Sequence, residues 1–341
     1  MTLSYVGTEG HRLLSSRSAN PGSPALCQQL AQQGAIAVGT SNTTCGPGNE
    51  NLVYALPGGG FQPGTRLTFP GVNDPTLGPV VAIGNDSYFI TSGQSSYNSA
   101  QVNYRHTSDR LQVLLAYTYS KAMDNSSGYG EQMNPIDPRK SIGLSAFDST
   151  NNFTVSYNYS LPIDHWLPSN RLTRGWAISG ITTFATGLPI TLVETDDHSL
   201  LGTAFGGPIV LPVDTPDQVA PVKIMDPRTI NPTTQGHYYF TAASFAPSAI
   251  GLEGNANRRF FHGPGINNWN MAFHKATPIT ERVNLEFRAE LFNIFNHTQF
   301  IAPSSIGLCG GVTTCDQVPS FGAITQAAPP RIGQLSLKLS F

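Results

Sequence analysis

Apolar and polar residues alternate with a period of two along several segments of the chain. In the segment RVNLEFRAELFNIF, the odd positions from Val283 to Leu291 are apolar, and the even positions from Arg282 to Glu290 are charged or carry an amide. A β-strand places alternate side chains on opposite faces, whereas a helix would spread these charges around its circumference. The segment therefore predicts a strand with one apolar and one polar face.

The same alternation recurs along the chain and predicts about eight strands. The other segments are TLSYVG, SAQVNYRH, DRLQVLLAYTYSK, NNFTVSYNYSLP, RGWAISGITTFATG, NNWNMAFHK and the closing IGQLSLKLSF. The segments offer roughly 9–11 alternating residues, which is the length that a tilted strand needs to cross a bilayer. Strands of globular proteins more often stop at about 5–6 residues. The pattern therefore favours membrane-spanning strands.

The connections between the predicted strands are alternately short and long. The long ones run from Thr8 to about Ser96, from Lys121 to about Asp148, from Leu188 to about Ile266 and from Asn296 to about Pro330. Loops of this length are uncommon in a compact domain. In outer-membrane barrels, short turns lie on the periplasmic side and long loops on the external side. The alternation therefore predicts a transmembrane β-barrel sheet, and SPALCQQLAQQGAIA predicts a short helix within its first long loop.

Aromatic residues fall at the ends of the predicted strands. If the short turns are periplasmic, Phe341, Tyr159 and Trp176 gather at the inner rim. The residues expected at the outer rim are Tyr119, Phe184 and Trp269. Two such belts are the interfacial anchors of membrane barrels. Aromatic residues that fill the core of a soluble β-protein remain the alternative, because aromatics favour strands in general.

Composition and charge exclude several classes of partner. The net charge is −2 and only 12% of the residues are charged, which argues against nucleic acid as a partner. No apolar run reaches the ~18 residues of a membrane helix, and no signal peptide is visible. The four cysteines form two local pairs, Cys27/Cys45 and Cys309/Cys315, which favour disulfides in an oxidising compartment, with free thiols as the alternative. Without a CxxC motif or a histidine cluster, zinc binding is not expected.

Candidate chemistry is sparse. The segment ETDDHS, residues 194–199, could bind calcium through its carboxylates, but its spacing lacks the EF-hand pattern, so a solvated loop is favoured. Asp137, Asp148 and Glu131 are interpreted as loop charges rather than an acid–base pair. No nucleophile, base and orienting group can be assembled. We therefore expect no enzyme activity and no catalytic, cofactor-binding or metal-binding residues.

A charged stripe follows the polar face of one predicted strand. Arg282, Glu286, Arg288 and Glu290 would face the barrel lumen. The favoured interpretation is that they form cross-strand ion pairs, which hold the strand register. Contact with a plug or a substrate is the alternative.

Several segments resemble one protein family, in the same order along the chain. LEFRAELFNIFNHTQF, Leu285 to Phe300, resembles the penultimate strand and following loop of TonB-dependent outer-membrane transporters of the Oar-like β-barrel type. The same family is similar in SYVGTEGHRLL, LLAYTYSKAMDN, YNYSLPI, GWAISGITTFATGLPIT, GPGINNWNMAFHK and LSLKLSF. The resemblance covers nearly the whole chain except the loops. One departure is FDSTNNF, where the family often carries a basic cluster.

The resemblance implies an incomplete barrel. Such transporters have about 22 strands around a plug, whereas this chain has about eight and shows neither a plug nor a TonB-contacting segment. Residues 1–341 are therefore expected to be the C-terminal part of the barrel of a TonB-dependent receptor. The expected location is the cell outer membrane of a Gram-negative type bacterium.

The resemblance also implies partners and a role. The expected partners are outer-membrane lipid, the barrel assembly machinery through the C-terminal strand ending in Phe341, an unidentified solute, and the TonB system through missing N-terminal parts. The implied role is active uptake of a large or scarce solute, which would bind the external loops after Thr8 and Leu188. The alternative is a surface-exposed β-rich binding or adhesion protein without transport.

Overall fold

Eight long strands dominate the protein, as the alternation predicts. The computed structural model describes residues 1–38, 44–49, 52–63, 68–69, 81–82, 87–129, 131–194, 197–201, 214–230, 236–303 and 320–341. The long strands, β1 to β8 in chain order, are Thr2–Ser18, Ser87–Thr107, Leu111–Asp124, Asn151–Ser160, Trp176–Ala185, Ile266–Pro278, Asn284–Phe292 and Ile332–Ser340. Several exceed the predicted length, because they continue beyond the alternating segments.

Short elements lie in the connections. The helices are Pro24–Gln32 and Ile163–Trp166, with 3-10 turns at Pro138–Ser141 and Ala242–Ser244. The short strands are Ile36–Ala37, Val53–Ala55, Phe61–Pro63, Thr68–Phe69, Val81–Ala82, Gln132–Met133, Gly143–Leu144, Asp217–Gln218 and Phe245–Ala246. The helix predicted in the first long loop is confirmed, and it begins where the Ser23 side chain accepts a hydrogen bond from the Leu26 amide. Within the described part of the chain, no helix is long and apolar enough to cross a membrane.

The eight long strands form one antiparallel sheet in which each pairs with its sequence neighbours. At one end the connections are residues 108–110, 161–175 and 279–283. At the other end they are residues 19–86, 125–150, 186–265 and 293–331. The predicted alternation of short and long connections is therefore confirmed.

The strand register brings the predicted apolar rows onto one face of the sheet. Ala289 of β7 lies opposite Leu335 of β8 and Phe273 of β6. Phe273 in turn lies opposite Ile178 of β5. The same face continues through Tyr159 of β4 to β3, β2 and β1. A single register across the sheet thus separates one continuous apolar face from one polar face.

The first strand departs from its predicted end. It pairs with β2 as far as Ser18, opposite Ser87, so the first long connection is shorter than predicted. The register shifts between Gly10 and Leu13, where Arg12 adopts a positive φ of 55°. Such a bulge interrupts the period-two pattern, and this is why the alternation ends before the strand does.

The sheet does not close on itself in the described residues. The free edge of β1 pairs only at Ser16 and Arg17, with the short strand Gln132–Met133. The free edge of β8 has no paired strand in the described part of the chain. The fold is therefore an antiparallel barrel section with two open edges, as the predicted incomplete barrel requires.

The buried core lies in the long connections and not on the sheet face. One cluster packs Phe240, Phe245 and Phe321 together with Ile190 and Leu192. A second cluster surrounds the disulfide Cys27–Cys45, which confirms that predicted pair. Cys309 and Cys315 lie outside the described residues. By contrast, the apolar face of the sheet is open, with Leu335 75% and Leu337 69% exposed.

Candidate functional site

A row of aromatic rings crosses the apolar face at the end with the long connections. Neighbouring ring centroids are 6.4 Å apart between Tyr117 and Phe153, 6.3 Å between Phe153 and Phe184, and 5.8 Å between Phe184 and Trp269. Phe295 continues the row at 5.3 Å from Trp269. The row confirms that Phe184 and Trp269 share one rim, and Tyr119 lies one pleat beyond Tyr117 on the same face.

A second group of aromatics marks the opposite rim. Trp176 is the first residue of β5 and lies opposite Lys275 of β6. Tyr159 lies opposite Leu111 at the start of β3, and Phe341 follows the last residue of β8. The three residues predicted at the inner rim therefore share the end with the short turns. Two aromatic rows that bracket an exposed apolar band form a surface suited to a bilayer.

The polar face of the sheet is concave. A hollow of about 660 Å³ is lined by residues from six successive strands, β2 to β7. Its polar lining includes Gln112, Ser156, Asn158, Asn270 and Arg288. A polar hollow behind an apolar outer band is the arrangement of a barrel wall that encloses water.

The charged stripe on β7 is only partly paired across strands. Arg288 pairs along its own strand with Glu290, Nη2 to Oε1 at 2.5 Å, and the Gln334 side chain of β8 donates to Glu290. His274 of β6 contacts Glu286 at 4.0 Å. The prediction of cross-strand ion pairs is wrong for Arg288 and Glu290. The reason is the register, which places Ser336 and His274, and no carboxylate, opposite Arg288.

Beyond the outer aromatic row, buried ion pairs join two long connections. Arg258 bonds Asp124 at 2.5 Å and Glu131 at 2.8 Å, and Arg259 bonds Glu131 at 2.7 Å. Arg259 also donates to Thr191 Oγ1 at 2.7 Å. Glu131 is 6% exposed, and burial lowers the pKa of Arg259. We call these four charged residues the loop ion-pair network. Glu131 is thus a buried structural group and not a free loop charge.

Asp148 makes a second link between the same two connections. One carboxylate oxygen accepts the Ala122 amide at 2.6 Å, and the other bonds His262 Nε2 at 2.8 Å. Asp148 is 1% exposed, so this loop charge is a buried group that is paired with His262. Asp137 is a loop charge near the surface, and its bond to Arg139 holds the pKa of the carboxyl below its usual range.

A polar hollow of about 330 Å³ lies beside the loop ion-pair network. Glu253 accepts from Lys140 Nζ at 2.5 Å and from Asn134 Nδ2 at 2.5 Å on its wall. The rest of the lining includes Thr215, Asn255 and other hydrogen-bonding groups. This hollow could hold a small polar group by hydrogen bonds, and its size lies at the lower end for ligand sites.

Sequence comparison decides the family. A model of the outer membrane beta barrel domain matches residues 1–334. This chain belongs to the outer membrane beta barrel domain family. The barrel section therefore resides in the cell outer membrane, with its apolar face toward lipid and its polar face toward the barrel interior.

Other comparisons add little. No curated protein matches the chain. Among solved structures, the outer membrane transporter YddB from Escherichia coli aligns with 99% of this chain at 9% identity and a TM-score of 0.40. The alignment covers 30% of the YddB chain, so this barrel section spans about a third of that protein's length.

Membership of the family orients the barrel section. In bacterial outer-membrane barrels the short turns are periplasmic and the long loops are extracellular. The connection 108–110 and its two counterparts therefore face the periplasm. The loop ion-pair network, the two apolar clusters and the smaller polar hollow then face the exterior. We call these described parts of the long connections the external cap.

Glu194, Asp197 and Ser199 of the segment ETDDHS are buried in this external cap, so the interpretation as a solvated loop is wrong for these described residues. Glu194 and Asp197 are buried, and Glu194 accepts a hydrogen bond from Ser248 Oγ at 3.1 Å. His198 lies 3.2 Å from Glu194. Thr195 and Asp196 lie outside the described residues. Among the residues that the structure describes, no group of three or more His, Cys, Asp or Glu side chains could hold a metal ion.

Asp214 joins this acidic group and gives the cap a pH dependence. Burial, with the nearby carboxylates Asp197 and Glu194 as minor causes, raises the pKa of Asp214 to about 7. Its carboxylate accepts the Ser199 amide at 3.0 Å. In the unfolded cap this group ionises near pH 4. The folded cap therefore loses stability as the pH rises from about 4 to about 7, because the folded form retains a proton that the unfolded form releases.

We expect Asp214→Asn to remove this dependence. Limited proteolysis of the wild type at pH 5.5 and pH 8 should show faster cleavage of the cap at pH 8. The Asn variant, which stays neutral, should resist cleavage better than the wild type, with a clearly larger difference at pH 8 than at pH 5.5. Comparing the two at each pH cancels the pH dependence of the protease. Identical cleavage of wild type and variant at pH 8 would show that Asp214 does not titrate in this range.

Sequence reasoning missed Arg258, Arg259 and Asp214. A signal for the arginines was present, because the adjacent pair in NRRFFH stands in a long loop of a chain with few charges. Asp214 gave no such signal. Asp214 is buried because the folded cap brings Ser199 and the acidic segment into contact with it.

Proposed function

We propose that this barrel section is the C-terminal part of a TonB-dependent receptor of the Oar-like type, which imports a large or scarce solute across the outer membrane. The observation that supports this most is the pair of open edges on β1 and β8. Unpaired backbone groups in lipid cost several kcal/mol each, so a membrane sheet must continue until it closes. A sheet of eight strands whose two edges remain unpaired favours a barrel that contains additional strands.

The external cap supports a binding role. Two apolar clusters, the Cys27–Cys45 disulfide and the loop ion-pair network join the described parts of the long loops. An ordered cap can hold polar groups in fixed positions for a solute, and it lowers the entropy cost of binding. The solute would bind here, over the loops after β1 and β5. No catalytic step is part of the proposal.

The proposed partners follow from the same arrangement. The exposed strand β8, which precedes Phe341, would be recognised by the barrel assembly machinery through its free edge and terminal aromatic residue. Lipid would cover the apolar face. The TonB system would act through parts of the receptor outside residues 1–341, and nucleic acid has no part in it.

Photo-cross-linking at the β8 edge tests the barrel size. With p-benzoylphenylalanine at Leu337, we expect membrane-inserted protein to cross-link to sites other than β1, because β1 does not close onto β8. The same label at Val155 serves as a control, since β3 and β5 flank that position. Cross-links from Leu337 to residues 2–10 would show an eight-stranded closed barrel and would contradict the proposed receptor section.

Uptake by the producing bacterium tests the role itself. Loss of the gene should lower energy-dependent uptake of one member of a panel comprising a ferric siderophore, an oligosaccharide and a peptide. Collapse of the proton-motive force should give the same loss in the wild type. Unchanged uptake together with lost surface attachment would favour adhesion over transport.

A further inference from the structure

The periplasmic turn between β4 and β5 presents exposed apolar and basic side chains together. We call residues 161–175 the rim turn. Within it Trp166 is 74% and Leu172 is 79% exposed, and Arg171 and Arg174 are exposed as well. Neither arginine has an acidic partner among the described residues. Apolar and basic side chains that are exposed together at the edge of a membrane-facing surface indicate a binding partner.

The rim turn is held by internal hydrogen bonds although it buries little. The Asn170 side chain accepts the amides of Leu172 and Thr173 at 2.8 Å and 3.2 Å, and Thr173 Oγ1 donates to the Pro168 carbonyl at 2.9 Å. Gly175, with φ of 75°, lets the turn lie close to the backbone of Ala276. Ordering this backbone costs conformational entropy. Burial of Leu172 within the protein does not offset this cost, because the side chain is exposed.

The rim turn lies on the lipid side of the sheet. Trp176 and Lys275 belong to the apolar face, where they lie opposite each other. Trp176 Nε1 donates to the Leu172 carbonyl at 2.8 Å, and Lys275 Nζ donates to the Arg171 carbonyl at 2.8 Å. Both anchors therefore draw the segment from Arg171 to Gly175 against the lipid-facing rim.

The carboxylate of the rim turn itself lies toward the other side of the sheet. Asp164 lines a hollow of about 420 Å³ together with His274 and Glu286, which belong to the polar face. Asp164, the one carboxylate of the turn, therefore lies beside the barrel interior, whereas the segment that carries both arginines is held at the lipid-facing rim through its backbone. This separation favours an anionic partner at the bilayer surface.

We propose that Arg171 and Arg174 of the rim turn bind the phosphate groups of anionic phospholipids in the periplasmic leaflet, with Leu172 inserted among the acyl chains. The apolar side chain enters the layer that Trp176 already marks, and the guanidinium groups reach the phosphates just above it. The inference rests on the membrane location and the rim geometry, and it does not depend on solute uptake.

Lipid titration of the folded full chain in neutral detergent micelles tests the proposal. Native mass spectrometry would compare phosphatidylglycerol with phosphatidylcholine of the same acyl chains. We expect preferential binding of phosphatidylglycerol and a loss of about 5-fold for each arginine removed, or about 25-fold in Arg171→Gln/Arg174→Gln. The variant Arg171→Lys/Arg174→Lys should retain most of the binding, because it keeps both charges.

Two controls separate the site from bulk charge and from free phosphate. Arg139→Gln/Arg228→Gln removes two arginines of the external loops, each of which bonds an aspartate two residues earlier, and should bind phosphatidylglycerol as the wild type does. Inorganic phosphate should not displace the lipid. Equal binding of the two lipids, an equal loss in the external control, or displacement by phosphate would overturn the proposal. Heat-modifiable migration verifies that each variant is folded.

Discussion

Val155→Arg is expected to abolish assembly of the barrel section in the outer membrane. Val155 lies at the middle of β4 on the apolar face, opposite Leu115 of β3 and Thr182 of β5. An arginine on the lipid face costs about 2–4 kcal/mol at the bilayer midplane. This is a large part of the roughly 5–15 kcal/mol that keeps a typical domain folded. Loss of heat-modifiable migration and loss from the outer-membrane fraction would measure the effect.

The neighbouring position provides the matched control for this change. Ser156 is on the polar face, opposite Leu114 and Ile181, and it lines the concave hollow. An arginine there enters a polar, water-accessible space and meets no charged residue directly across. We expect Ser156→Arg to assemble as the wild type does. Equal loss of assembly in both variants would contradict the assignment of the faces.

The second large effect is expected from Glu131→Gln. This change leaves Arg258 and Arg259 without their shared carboxylate in a site where both are largely buried. Removal of one partner of a buried ion pair costs about 3–5 kcal/mol, because the remaining charge stays desolvated. The external cap should open while the sheet stays assembled. Hydrogen exchange should therefore accelerate in residues 131–150 and 252–262, with protection of β4 and β5 unchanged.

Asp137→Asn is the control for the network. It removes an acidic group of the same connection that pairs at the surface with Arg139. Exposed ion pairs contribute little to stability, so this variant should exchange as the wild type does. If Glu131→Gln left the exchange of both segments unchanged, the network would not be what holds the cap together.

Much of the sheet can be derived from the sequence alone. The alternation in segments such as RVNLEFRAELFNIF determines which residues share a face, because the period of a strand is two whatever it packs against. The spacing of these segments determines that short and long connections alternate, and hence which end faces the periplasm. The disulfide Cys27–Cys45 can also be predicted from the sequence, because its two cysteines are only 18 residues apart.

Only the tertiary structure decided where the isolated charges go. Glu131 and Arg259 are 128 residues apart, and nothing local marks them as partners. The sequence of the acidic segment at residues 194–199 predicts a solvated loop. In the structure, Ser248 donates a hydrogen bond to Glu194, and the Ser199 amide donates one to Asp214. The extension of β1 past Gly10 depends on a bulge, and the open edges depend on the absence of pairing between β1 and β8 in the described residues. Periodicity reports the face of a residue, but burial and pairing are set by contacts between distant segments.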